Sequence, residues 1–257
     1  MLIVISPAKT LDYDSPLPPH EATQPRLLDH SDVLVQKART LTAADLKQLM
    51  KVSDKIAQLN VERFTRWSTP FTSDNARPAL FAFKGDVYTG MGVGGFSAAD
   101  LDAAQRRLRM LSGLYGVLRP LDLMQPYRLE MGTRLHNARG KNLYEFWGDI
   151  ITDQLTADMR AAGTDVLINL ASNEYFKAVN TQRLPGPVIE PVFQDEKNGR
   201  YKVISFWAKK ARGRMAAWIV HNGVTRPQDL QEYDEDGYRY AADASTATRP
   251  VFRRTEA

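Results

Sequence analysis

The chain contains no cysteine, which removes disulfides, thiolate nucleophiles and cysteine-ligated metal centres in one step. Its four histidines, His20, His30, His136 and His221, stand far apart with no ligand-spaced pair among them, so no metal site is expected. No stretch approaches eighteen consecutive apolar residues. The N-terminal run Met1 to Ile5 is too short for a signal-peptide core and lacks a basic leader. A cytoplasmic protein without a cofactor is the expectation. Proline and glycine are scattered, the one proline-rich stretch being Ser15 to Pro19, and neither a linker nor an internal repeat is visible. One domain over residues 1–257 is expected, long enough to bury a substantial core.

Acidic residues are also missing where they would matter most. From Lys197 to Gln228 there are eight lysines and arginines (Lys197, Arg200, Lys202, Lys209, Lys210, Arg212, Arg214 and Arg226) and no carboxylate, although the whole chain carries only +4. The charge is therefore segregated. Such a stretch is either a solvated cationic face or the footprint of a polyanion, whose condensed counterions are released on binding. Its densest part, Trp207 to Met215, opens a helical pattern in which Ala211, Met215, Trp218 and Asn222 recur. Cations in the first turns of a helix oppose the macrodipole at a few tenths of a kcal/mol each. Gly213 adds about 1 kcal/mol relative to alanine and offers close backbone approach in return. Two unfavourable choices in one place point to an anion site.

The remaining pattern is mixed α and β without strict alternation. Leu2 to Ser6 reads as a buried strand, followed by helices at about 31–40, 43–51 and 54–67. Ser97 with Asp100 makes a capping box for a helix running to Leu111, and Asn142 caps a long helix ending near Gly163. Val166 to Leu170 is a continuous apolar strand. Val188 to Phe193 and Arg200 to Phe206 flank Asn198-Gly199, a strong hairpin signal. Thr225 with Gln228 offers another capping box, and Gly237 to Ala241 and Pro250 to Arg253 read as closing strands. The expected fold is an irregular mixed α/β (α+β) domain, a mixed sheet flanked by helices.

Several residue groups have the chemistry of a site. Leu46 to Ala57 gives two short helices joined at Lys51 to Asp54, with Ser53 placed to cap the second helix and Lys55 in its first turn. The segment, about 43–67, resembles a helix-hairpin-helix, whose hairpin amides and second-helix N-terminus hold backbone phosphate. It departs from that pattern because Lys51 and Ser53, not glycines, flank Val52; an ordinary antiparallel helix pair is the alternative. Gly113 and Gly116 have a spacing that would admit a phosphate or simply make a turn. Asp122, Tyr127, Arg128 and Glu130 read as a cleft wall or a hydrogen-bonded loop. Lys9, on the loop after the first strand, and Lys84 with Asp86 and Tyr88 sit where loops carry function. Asn169, Ser172, Asn173, Glu174, Tyr175 and Lys177 follow a strand end, the usual place for a ligand in an open sheet.

Six long strings, Ile5 to Asp12, Phe83 to Gly90, Leu108 to Asp122, Gln125 to Gly132, Leu170 to Phe176 and Ser205 to Gly213, resemble the YaaA peroxide stress resistance family, in order and over nearly the whole chain. The resemblance implies a cytoplasmic bacterial protein of the hydrogen peroxide response that limits free intracellular iron. It also implies affinity for double-stranded DNA through a helix-hairpin-helix and a positively charged cleft. On that reading Lys9, Lys84, Arg119, Lys209, Lys210, Arg212 and Arg214 line the cleft, and Lys51, Ser53 and Lys55 grip backbone phosphate. No catalytic residue follows from it. The rival is an enzyme acting on a nucleotide, nucleobase or damaged DNA, with Lys9 or Lys209 as nucleophile or base and Asp86, Glu174 or Tyr175 as proton carrier. An iron-sequestering protein is the third reading, set against a poor ligand inventory.

Overall fold

The computed structural model describes residues 1–255. Five strands, β1 (Leu2–Ile5), β2 (Leu108–Ser112), β3 (Gly116–Leu118), β4 (Leu167–Leu170) and β5 (Val188–Ile189), form the central sheet in the order β3-β2-β1-β4-β5. β1 pairs in parallel with both β2 and β4, and β4 with β5; β3 returns antiparallel along β2. Every residue of β1, β2 and β4 is buried, as expected of parallel strands covered on both faces. A second sheet holds β6 (Val192–Lys197), β7 (Arg200–Lys202), β8 (Arg239–Tyr240) and β9 (Val251–Arg254) in the order β7-β6-β9-β8. Leu2 in β1 and Phe252 in β9 belong to one buried cluster, so both sheets share a hydrophobic core.

The helices that matter for function are α1 (Leu28–Arg39), α2 (Ala43–Met50), α3 (Asp54–Arg66), α4 (Asp86–Met91), α5 (Ala98–Arg107), α6 (Leu143–Trp147), α7 (Ile150–Ala161) and α8 (Ser205–His221). The fold is the mixed α/β arrangement expected from the pattern. Ser97 and Asp100 form the capping box on α5, and Asn198 and Gly199, both at positive φ, make the two-residue turn between β6 and β7.

Several boundaries differ from the sequence expectation, and Val188 to Phe193, expected as one strand, is divided between β5 of the central sheet and β6 of the second. α5 ends at Arg107 rather than Leu111, because Leu108 to Ser112 is needed as a central strand beside β1. The long helix from Asn142 is broken at Gly148, whose φ of +47° is outside the helical region, leaving α6 and α7. The strand expected to reach Phe206 stops at Lys202, and α8 starts at Ser205. Thr225 does not cap a helix; a 3-10 turn runs from Pro227 to Glu232 instead, with no side-chain cap. Gly116, at φ +67°, turns the chain from β2 into β3, and a Cβ on Gly113 would stand 2.2 Å from the Leu129 carbonyl. These glycines serve the turn.

Candidate functional site

β1, β2, β4 and β5 run parallel, so their carboxyl ends share one edge of the sheet. The chain passes from β1 to β2 on one side and later to β4 on the other, which makes the end of β1 a topological switch point, where open sheets bind ligands. The loops there are tied together. The Ser172 amide donates to Ser6 Oγ at 2.8 Å, the Tyr88 hydroxyl donates to the Ser6 carbonyl at 3.1 Å, and Asn169 Nδ2 donates to Glu190 Oε1 at 3.0 Å. Ser112, at the end of β2, shares a 2.6 Å hydrogen bond with the Tyr127 hydroxyl. Glu174, expected as a proton carrier, accepts from the Gly132 amide at 3.0 Å.

Glu130 is the hub of this edge. Lys9 stands 3.3 Å and Arg128 3.1 Å from its Oε1, while its Oε2 is buried without a partner. Tyr127 and Tyr175 wall the same recess. Burial raises the pKa of the Tyr88, Tyr127 and Tyr175 phenols, so all three are neutral donors near pH 7. Asp122 and Arg119 fall in another charge group. Arg119 is clamped on Asp122 at 2.8 Å and also donates to the Gln24 carbonyl, near the Arg26, Arg109 and Asp158 cluster. The 119–130 stretch is thus a hydrogen-bonded loop at one end and the wall of a recess at the other.

Lys84 joins the edge through backbone pairing. Thr10 and Leu11 lie antiparallel to Lys84 and Phe83, Lys84 reaches Asp12 at 3.2 Å, and Gly85 would bring a Cβ within 3.2 Å of Ala8. The Ser15 amide and hydroxyl, and then Lys84, hold the Asp12 carboxyl well below the usual carboxylate range. An open cavity of about 430 Å³ lies beside Lys84, walled by Leu17, Phe81, Phe83 and Tyr88; its volume is in the range of small-molecule sites.

α4 begins just after Lys84 and crosses α8 closely. A Cβ at Gly213 would stand 1.8 Å from the Val87 carbonyl oxygen, and one at Gly90 would stand 2.1 Å from the Lys210 carbonyl oxygen. The close approach expected of Gly213 is therefore made to a helix. With Gly213 facing α4, Lys209 and Arg212 fall about 40° and 100° to one side of α8 and Lys210 and Arg214 about 60° and 100° to the other. The four cations form two rows rather than one. Arg212 is half-buried and makes no hydrogen bond or ion pair among the described residues; desolvation lowers its pKa, with Glu190 opposing. Arg214 faces Asp236 at 3.6 Å, its Nε without a hydrogen bond. Lys209 is exposed. Lys9, Lys84, Lys209, Lys210 and Arg212 thus lie on connected elements around the α4–α8 crossing; Lys9 and Lys84, like Arg119 and Arg214, have carboxylates facing them, whereas Lys209, Lys210 and Arg212 make no ion pair among the described residues.

Lys51, Ser53 and Lys55 belong to a separate unit, the α2–α3 hairpin. Thr42 and Asp45 form a capping box on α2, which ends in a left-handed Lys51 at φ +53°; the Val52 amide closes the turn on the Lys47 carbonyl. Ser53 Oγ accepts from the Ile56 amide at 3.4 Å. The amides of Ser53, Asp54 and Lys55 make no hydrogen bond among the described residues. They open beside a groove lined by Ala44, Lys47, Gln48, Lys51, Val52 and Asp54, in which the Asp54 carboxylate pairs with Lys47 at 2.9 Å.

Sequence reasoning passed over Asp195, Arg254 and the exposed aromatics near α8. Only the composition of Tyr201 to Trp207, apolar residues within a basic stretch, signalled them. Among the described residues, no group of three or more His, Asp or Glu is arranged to hold a metal ion, and no helix is long and apolar enough to cross a membrane.

The family description "Peroxide stress protein YaaA" matches residues 1–244. The chain belongs to the YaaA peroxide stress protein family. Similar proteins of this kind include a UPF0246 protein of Alcanivorax borkumensis, 64% identical over 256 residues, and two UPF0246 proteins of Aliivibrio fischeri strains MJ11 and ES114, each 58% identical over 256 residues. In each case the match covers 100% of this chain and 99% of the relative. Membership in the YaaA family supports a role in the peroxide stress response.

Proposed function

We propose that this protein binds the phosphate backbone of double-stranded DNA in the cytoplasm during peroxide stress, reading shape and charge rather than base sequence. The observation that carries the reading is the group of α8 cations outside any ion pair among the described residues, Lys209 and Arg212 on one side of Gly213 and Lys210 on the other, on a helix that crosses α4 just after the Lys84 strand. A half-buried guanidinium with no partner is costly unless an anion completes it. The α2–α3 hairpin supports the same reading, since three unbonded amides at the start of α3 with Lys51 and Lys55 beside them suit one phosphate. Any lowering of free iron follows indirectly, and purified protein is expected to carry no stoichiometric iron.

The test is fluorescence anisotropy of a labelled duplex across a salt series. Four to five phosphate contacts give a log–log slope of about −4 at roughly −0.9 per contact. The Lys209→Ala/Arg212→Ala variant is expected to flatten that slope by about two units. A salt-independent affinity, or an unaltered slope in the variant, overturns the reading.

The partnerless Oε2 of Glu130 favours a second reading, chemistry on a nucleotide or on damaged DNA. Between the two lysines considered, Lys9 is the one with a carboxylate at 3.3 Å able to exchange its proton; Lys209 has none. Borohydride trapping of a Lys9 adduct on abasic DNA is its test, and no adduct on any damaged substrate removes it.

A further inference from the structure

Among the described residues five large apolar side chains are exposed, and four of them fall within seven consecutive residues: Tyr201 at 38%, Val203 at 53%, Phe206 at 52% and Trp207 at 39%. They occupy β7, which is an edge strand, the link after it, and the first turn of α8. Tyr201 and Trp207 are covered by consecutive residues of β9 and so lie on opposite faces of the sheet; the adjoining Phe206 and Trp207 form an exposed apolar patch, which marks an interaction surface. Its aromatic members are braced from behind. Arg254 lies over the Trp207 ring at 4.8 Å and is itself held by the buried Asp195 at 2.8 Å; Arg253 lies over Tyr201 at 4.6 Å; Phe206 meets Trp207 edge-on at 5.0 Å. Trp207 is held on one face by Arg254 and Phe206 by its edge contact with Trp207, so little conformational freedom remains to be lost when something stacks on the pair.

The flanking charges select the partner. Lys197, Arg200 and Lys202 lie on the hairpin beside Trp207 without ion pairs among the described residues, while of the carboxylates lining the same recess Asp195 is held by Arg254, Asp236 faces Arg214 and Glu196 is unpaired. A second copy of the chain pairing along β7 would bring Arg200 and Lys202 against their own counterparts. A polyanion that also carries flat apolar faces meets both halves of the surface. In a continuous duplex those faces are covered by neighbouring pairs, whereas unpaired bases present them.

We propose that Phe206 and Trp207 form a stacking platform for unpaired bases of a nucleic acid, whose backbone phosphates are held by the lysines and arginine around them. The inference rests on the DNA-binding reading and adds to it a distinct surface and a preference for unstacked strands. Stacking on aromatics tolerates sequence and accompanies a cationic groove.

The experiment titrates the protein with single-stranded oligothymidylate and with a blunt duplex, following tryptophan emission and anisotropy together. Trp67 and Trp147 are buried and Trp218 is packed against Tyr233, so quenching on stacking reports Trp207. Saturable quenching by the single strand is expected, weak or absent with the duplex and lost in Trp207→Phe if that ring is the reporter. Phe206→Ala/Trp207→Ala should weaken single-strand binding about tenfold for each lost stack and leave duplex affinity within about twofold, with unchanged circular dichroism as the folding control. Duplex binding without quenching, and with the double variant binding single strands normally, overturns the platform and leaves the DNA reading intact. No binding to either strand form overturns both. A change in sedimentation on substitution makes the face an interface between copies, and a response to anionic vesicles but not to oligothymidylate makes it a lipid contact; either result also overturns the proposal.

Discussion

Replacing Gly213 with alanine tests whether the α4–α8 crossing is as close as the geometry requires. The added methyl would stand 1.8 Å from the Val87 carbonyl oxygen, 2.7 Å from its carbon and 3.0 Å from the Met91 amide nitrogen, against 3.4 Å or more for ordinary contact. All three are backbone atoms, so no side chain can rotate away. The helices must separate by more than 1 Å, loosening Ala208, Ala211, Ala216 and Ala217, all buried on α8. Overpacking of this kind costs about 3 kcal/mol, and alanine in place of glycine returns about 1 kcal/mol through helix propensity. The net loss is therefore about 2 kcal/mol, or a fall in Tm of roughly 4–8 °C for a chain of this size. Urea or thermal unfolding reads it directly. Because Lys209 and Arg212 ride on the displaced helix, duplex affinity should fall as well. Gly90→Ala strikes the same crossing from the other helix, so the double variant should lose less than the sum of the two. A Gly213→Ala protein as stable as its parent would refute the close crossing.

Lys51→Gly should raise stability by about 0.5–1 kcal/mol, because a lysine at φ +53° carries left-handed strain that glycine does not; a lower Tm would count against it. Asp195→Asn leaves the Arg254 guanidinium without its charge partner beneath Trp207 and should cost about 3 kcal/mol, measured by chemical denaturation, with no loss refuting the buried pair. Asp12 supplies a pH test. Its folded pKa lies below the usual value near 3.8, so its stabilisation is fully present above that value and is lost as pH falls through the depressed one. Protection of the Ser15 amide against hydrogen exchange, relative to its intrinsic rate at each pH, should therefore decline below about pH 4 in the parent and show no such onset in Asp12→Asn.

The parts of the fold legible in the sequence were those set by local chemistry. β1 is an uninterrupted apolar run, the Asn198-Gly199 turn needs two positive φ values, and Ser97 and Asp100 satisfy each other across one helical turn. The errors came where tertiary pairing overrode periodicity. Leu108 to Leu111 continues the amphipathic pattern of α5, yet those residues are drawn into the sheet by parallel pairing with β1 on one side and antiparallel pairing with β3 on the other. Tyr201 to Phe206 alternates like a strand, but only its first part pairs with β6, and Ser205 onward is held by the α4 crossing. The polar residues after β1 and β4 were readable as a strand-end site because parallel strands deliver their carboxyl ends to one edge. Glu130 as the hub was not, since its contact to Lys9 depends on a loop closing across more than a hundred residues.

The cations at the start of α8 show how a fold can divide one sequence feature into two roles. All of them are disfavoured by the helix dipole, and in sequence they are equivalent. Gly213 breaks the equivalence by turning its own face to α4, which forces the flanking positions to opposite sides. On one side Arg214 meets Asp236 at 3.6 Å, next to the sheet where Arg254 braces Trp207, so its charge is answered within the protein. On the other side Arg212 is desolvated with Glu190 nearby but no hydrogen bond to it, and Lys209 points to solvent. Charge without an ion pair is thereby left on the side that faces Glu190 after β5, while Lys9 and Lys84 at the strand ends are paired with Glu130 and Asp12. If that asymmetry is what an anion reads, charge removal at Arg212 must weaken duplex binding more than removal at Arg214, while Arg214→Ala must cost more stability than an exposed cation would. Equal effects on binding from the two substitutions would mean that the rows act as one surface and that the glycine crossing serves packing alone.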